Sequence, residues 1–241
     1  MTESAVALSV AGVLGAFPQF RVAFALVEGL SGGQAPGAGL GRFCREAEEA
    51  ALSLLAEREI AELPEIAAWR QAYRAFGCKK TSYRNSCEAL LRRLRSGGEL
   101  PRVLPLVDLY NAISVRYLMP AGADDLAYLA PPMSFRFCRP GDSFLDLAKD
   151  PPRDDPPASG EVIYADSEKT LCRRWNWRQD ARSRIREETS QATVVIQTLE
   201  DPEGGRLEAA AAAFAAHVSE DLGARCRWAI ADRANPEVGP V

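Results

Sequence analysis

Cationic side chains in this chain are concentrated where they could meet a phosphate. Between Arg70 and Arg95 eight basic residues, among them Lys79, Lys80 and Arg84, stand against one acidic residue, Glu88, a local charge of +7. A second run, Cys172 to Arg186, sets six arginines against Asp180, or +5, in a chain whose 29 basic and 33 acidic residues leave it at −4 overall. Two basic patches in an acidic protein suit a localised polyanion contact, because each neutralised phosphate releases condensed counterions. Solvated helix faces are the competing reading. Inside the second run, Cys172-Arg173-Arg174-Trp175-Asn176-Trp177-Arg178 interleaves cations with two indoles and a carboxamide. In strand geometry Trp175 and Trp177 share one face while Arg174, Asn176 and Arg178 share the other. One face would then pack inside and the other line a polar cleft. Indoles also stack on bases, although at least one of the two is expected in the core.

Several other chemistries lack their residues. His217 is the one histidine and lies on an alanine-rich, helix-patterned stretch, as a half-exposed structural residue would, with no Gly-x-Ser-x-Gly elbow anywhere. Serine triads, cysteine–histidine dyads and zinc hydrolases therefore gain no support. The six cysteines contain no Cys-x-x-Cys pair, so they read as reduced thiols of a cytoplasmic protein, and no metal is expected. A strand, a glycine-rich segment and a helix over residues 20–58 mimic a nucleotide fold. However, Ala38 occupies the Walker lysine position and Arg42 the place of a fingerprint glycine, so no cofactor is expected. Asp124-Asp125 and Asp154-Asp155 read as solvated turn pairs. The amino terminus has no basic stretch and charges interrupt every apolar run, which argues against secretion and membrane insertion.

The elements that must position these residues follow from periodicity. Phe20 to Val27 reads as a buried strand, Ser31 to Gly41 as a loop, and Arg42 to Arg58 as an amphipathic helix. A helix follows Pro64, with Trp69, Ala72, Tyr73 and Phe76 on its inner side; another begins at Ser86 as cap, and a third covers Leu106 to Leu118. From Met133 onward short strands dominate, including Glu161 to Asp166, Thr193 to Leu199 and Arg225 to Ile230, interrupted by a helix from Leu207 to Leu222. The expected architecture is a single α+β domain over 1–241, helices packed on mostly antiparallel sheet.

One set of motifs resembles a known family. Leu106-Val-Asp-Leu-Tyr-Asn111, then Pro120 and Asp125-Leu126, Met133-Ser-Phe-Arg-Phe-Cys-Arg-Pro-Gly141-Asp and Val162-Ile-Tyr-Ala-Asp166 resemble the editing module of the phenylalanyl-tRNA synthetase beta subunit, over roughly residues 60–200. The resemblance implies deacylation of mischarged aminoacyl-tRNA by a free-standing module, a translation-fidelity role without ATP-dependent charging. It places Asn111 as a site asparagine, Pro120 as a site proline and Thr189 on a pocket wall. The family's site histidine, eleven residues after the asparagine, is replaced by Gly122, and Arg173 to Arg178 replaces a small glycine-rich turn.

Ester hydrolysis needs an oriented water and donors for the developing oxyanion. Asn111 and Thr189 are expected to supply positioning, and Asp166 to act as base or ammonium ligand unless it merely caps a turn. Gly122, Trp175, Asn176 and Trp177 are expected around the substrate, with Lys79, Lys80, Arg84, Arg173, Arg174 and Arg178 on the tRNA acceptor end. The expected partner is aminoacyl-tRNA, not DNA or a membrane. Two alternatives remain: a non-catalytic tRNA-binding module with the same fold, and a small-molecule, amino-acid-binding protein. The decisive expectation is that Asn111 and the ribbon around Trp175 border a common cavity.

Overall fold

The computed structural model describes residues 6–31, 36–149 and 151–239. In chain order the elements are β1 (Leu8–Ser9), α1 (Ala11–Leu14), β2 (Arg21–Glu28), α2 (Ala38–Glu57), α3 (Pro64–Ala75), α4 (Ser86–Arg95), α5 (Pro105–Tyr117) and β3 (Ala121–Asp125). They continue with β4 (Met133–Phe137), β5 (Leu145–Asp146), β6 (Arg153–Asp154), β7 (Val162–Ala165), β8 (Thr170–Arg173), β9 (Arg178–Gln179), β10 (Gln191–Thr198), α6 (Arg206–Leu222), β11 (Arg225–Ala231) and β12 (Glu237–Val238).

Two sheets carry the fold. One has the order β11-β2-β10-β3, antiparallel throughout; the other runs β12-β1-β4-β7-β8-β9, with β1 and β4 its single parallel pair among the described residues. The unbroken apolar run of β2 is explained by burial on both faces. Ala23, Ala25 and Val27 pack under α2, α5 and α6, whereas Val22 and Phe24 join a second core with Phe20, Trp69, Phe135 and Trp175. The layers are thus helices, a four-stranded sheet, and then α3 with the six-stranded sheet. This is an α+β architecture of packed helices and mixed, mostly antiparallel sheet.

Three local expectations are corrected. Helix α2 begins at Ala38, inside the segment expected to be loop, part of which (32–35) lies outside the described residues. Its glycines serve close packing: a Cβ at Gly37 or Gly39 would stand 2.6 or 2.5 Å from Asp221 Oδ1 on α6. The cap of α4 is Asn85, whose Oδ1 accepts from Glu88 N at 2.8 Å, with Ser86 already helical. Asp124 and Asp125, expected in a solvated turn, end the edge strand β3 and are each only 4% exposed.

Candidate active site

Strand alternation builds the floor of a cavity between the two sheets. On β3, Gly122 and Asp124 lie opposite Val195 and Thr193 of β10, all on the face turned away from α2 and α6. β7 and β8 close the far side with Tyr164, Leu171 and Cys172, and α5 contributes Tyr110 and Asn111. The space between these walls is about 280 Å³ and opens to solvent on one side.

Its remaining wall is the turn between β8 and β9. Arg174 and Trp175 both adopt left-handed backbone angles, φ 46° and 68°, which bulky L-residues rarely take. The conformation sends consecutive side chains to different compartments. Trp175 enters the core, fully buried among Phe17, Phe20 and Trp69 at ring separations of 4.8 to 5.2 Å. Asn176 bridges the layers: it accepts from Tyr73 Oη at 2.9 Å and donates to Gln197 Oε1 at 3.3 Å. Trp177 reaches the cavity, with the guanidinium groups of Arg174 and Arg178 over its ring at 4.3 and 4.5 Å. The Ser86 amide, donating to Asn176 O at 2.9 Å, ties this turn to the start of α4.

Asp124 is the cavity's one buried carboxyl group among the described residues. Ser183 Oγ and Gln179 Nε2 both donate to Oδ1, at 2.7 and 2.9 Å, which leaves Oδ2 without a protein donor. Burial pushes its pKa up to about 7, outweighing these two hydrogen bonds and the more distant Lys169. Burial also raises the pKa values of Tyr110, Tyr164 and Cys172, so all three are neutral at physiological pH. Among the described residues no three His, Cys, Asp or Glu side chains converge as a metal site would require.

Residues 68–203 match the B3/4 domain family. The chain belongs to that family. The B3/4 domain is also similar to a solved structure, an N-terminal fragment of the phenylalanyl-tRNA synthetase beta subunit from Pyrococcus horikoshii. Identity is 11% and the TM-score 0.48, over 91% of this chain and 50% of that one, so the chain spans about half of that fragment. No curated protein matches.

Of the residues expected at the site, this B3/4 domain brings Asn111, Gly122, Asn176, Trp177 and Arg178 to one cavity. Others lie elsewhere, each for a physical reason. Trp175 fills the core instead of the cavity. Pro120 is buried just outside, its carbonyl accepting from Gln197 N at 2.9 Å. Thr189, 4% exposed, donates to Asp125 Oδ2 at 2.7 Å and borders a separate small apolar pocket with Leu106 and Leu222.

Asp166 is a saturated turn cap. It accepts from the amides of Ala130, Glu168 and Lys169 and from Lys169 Nζ at 2.6 Å. Burial alone would raise its pKa, but Lys169 and these amides hold it below the usual carboxylate range. It therefore has no free oxygen for a substrate.

The basic patches are also partly spent internally. Arg173, 2% exposed, pairs with Glu161 at 2.8 Å and Asp155 at 2.5 Å, which removes it from any RNA contact. Arg70, Arg84 and Arg92 converge on buried Glu88, while Arg178 pairs with Asp146 and Arg182 with Asp180. Lys79 and Lys80 remain exposed on the loop leading to α4, and Arg174 lies over the Tyr83 ring at 3.8 Å. Asp124 is the functional candidate that sequence reasoning missed. Its only signal was strand alternation with Gly122, which a turn assignment hides.

Proposed function

We propose that this B3/4 domain is a trans-acting deacylase that hydrolyses the ester of mischarged aminoacyl-tRNA. One observation carries the reading: Asn111, Gly122 and the Asn176–Arg178 ribbon border a single cavity large enough for an aminoacyl group. The motif resemblance to a synthetase editing module supplies the reaction class. The exposed Lys79 and Lys80, with Arg174 nearer the cavity, supply cations for an acceptor end, whereas Arg178 is held by Asp146 at 3.0 Å. Arg84 contributes less, since it leans toward Glu88 at 3.7 Å.

In this mechanism the Asn111 carboxamide orients the ester or its attacking water, and pocket amides stabilise the oxyanion. The neighbouring ribose hydroxyl activates the ester, so a histidine at position 122 is dispensable. Purified protein should deacylate at least one member of a panel of mischarged tRNAs. Asn111→Ala should lower that rate on the order of 100-fold, the cost of removing one positioned polar group, with the thermal midpoint unchanged. No turnover above the uncatalysed rate on any tRNA would remove the reading.

The loss of the histidine favours one alternative, a non-catalytic tRNA-binding module, which would bind tRNA with a steep salt dependence and hydrolyse nothing. The internal pairing of Arg173, Arg178 and Arg182 favours another, a small-molecule-binding protein, marked by salt-insensitive binding of free amino acids.

A further inference from the structure

Asp124 stands in an unusual electrostatic position. Its carboxyl group is 4% exposed and one oxygen has no donor, and among the described residues no lysine or arginine forms an ion pair with it; Arg174, on the turn after β8, lies over the Tyr83 and Trp177 rings instead. From the loop after β7, Lys169 gives its ammonium to Asp166 and to Tyr128 O, each at 2.6 Å. On β9, Arg178 pairs with Asp146 at 3.0 Å, and beyond it Asp180 adds negative charge that Arg182 answers at 2.7 Å. The other titratable groups facing the cavity, Tyr110 on α5, Tyr164 on β7 and Cys172 on β8, are neutral. The rest of the polar lining is uncharged: the Ser86 hydroxyl, the Trp177 indole and the carboxamides of Asn111, Asn176, Gln179 and Gln197.

A buried carboxylate lacking a counter-ion is costly to keep ionised, and a cation arriving from solution relieves that cost. We infer that the cavity is an organic-cation site in which the Asp124 carboxylate receives a primary ammonium, while the neighbouring carboxamides face the neutral part of the ligand. That the ammonium belongs to an aminoacyl group rests on the deacylase reading; the ammonium site itself does not. Because a proton competes for the same oxygens, binding strengthens as the pH rises through about 7 and releases protons when it occurs.

The test titrates butylammonium chloride into the full chain at pH 6 and pH 8, followed by the Trp177 indole resonance, with 1-butanol as the neutral control. Saturable binding of butylammonium is expected, roughly tenfold tighter at pH 8, with proton release and no comparable pH dependence for 1-butanol. Asp124→Asn, which keeps the acceptor for Ser183 and Gln179, should weaken amine binding at least tenfold and flatten its pH dependence. Should that variant fail to fold, Gly122→Val serves, because a Cβ there meets nothing within 4 Å and projects into the open space; it should block the amine.

Amine binding that survives both substitutions, or no saturable binding at either pH, overturns the inference. The two readings separate cleanly. Amine binding through Asp124 without turnover on any aminoacyl-tRNA keeps the ammonium site and removes the deacylase. Deacylation without amine binding does the reverse.

Discussion

Gly122 and Asp124 are two residues apart on one face of β3, and their side chains divide the work of the cavity floor. Gly122 leaves room. Substituting Gly122→His should fit without displacing backbone, since nothing lies within 4 Å of a Cβ there. The imidazole occupies the same open space that Gly122→Val closes to an amine, so if the chain is a deacylase it should lower the single-turnover deacylation rate roughly tenfold or more by displacing the aminoacyl group. Asp124 fills the space with a charge the fold tolerates poorly. Its folded pKa is about 7 against 3.8 for an unperturbed group. The folded state thus holds a proton the unfolded chain would release, and stability is lost as pH rises from about 4 through 7. Asp124→Asn should therefore stabilise the protein at pH 8 by a few kcal/mol, since each tenfold difference in proton affinity between folded and unfolded chain is worth about 1.4 kcal/mol. The gain should vanish below about pH 4, as urea unfolding at several pH values will report.

Helix α4 holds one side of the cavity through Ala89 and Leu90, and a buried ion cluster holds α4. Glu88, 1% exposed, receives Arg70 at 3.0 and 2.5 Å and Arg92 at 2.8 Å. Burial alone would raise its pKa, but these arginines override it and depress it. A depressed carboxylate contributes stability above its unfolded pKa and loses it as pH falls through the folded value. Glu88→Gln should cost about 2 kcal/mol at pH 7, because it replaces charge-assisted hydrogen bonds from half-buried Arg70 and Arg92 by neutral ones. That difference should narrow in acid, which chemical denaturation at pH 7 and pH 3 will show.

The same helix illustrates what periodicity conveys. Cys87, Leu91 and Leu94 recur at helical spacing and form its buried face, as Trp69 and Tyr73 do on α3. The early start of α2 was hidden because Gly37 and Gly39 look like loop residues until Asp221 is seen packed against them. The Trp175–Trp177 pair misled in the opposite direction. Two left-handed residues break strand alternation, and no local pattern announces them.

At the scale of the whole molecule, the sequence located two basic clusters but not their partners. Arginines at 70, 92, 173 and 182 answer carboxylates far away or buried, and such pairings appear only once the chain is folded. The surface left for an acceptor end is consequently narrower than the charge count suggested. Lys79 and Lys80 are its most exposed members. A Lys79→Ala, Lys80→Ala double variant should weaken tRNA binding and lower the slope of log K against log salt by roughly one unit per lysine. Filter binding between 50 and 200 mM salt would measure this, and an unchanged slope would move the interface elsewhere. The helix that carries Asn111 to the cavity, by contrast, was legible, because α5 is regular and its inner face carries Leu106, Leu109 and Ile113. The buried carboxyl at 124 was not, since burial of a polar pair is decided by β10, the Ser183 loop and the second sheet together.

The turn at 174–177 places one indole in the aromatic core and the other, two residues on, at the cavity wall. The dimensions of the binding chamber are therefore inherited from residues a ligand never meets. Exchanging Phe17 or Phe20 for a smaller side chain should let Trp175 settle and draw Trp177 with it, so the chamber can change shape while every residue that lines it stays the same.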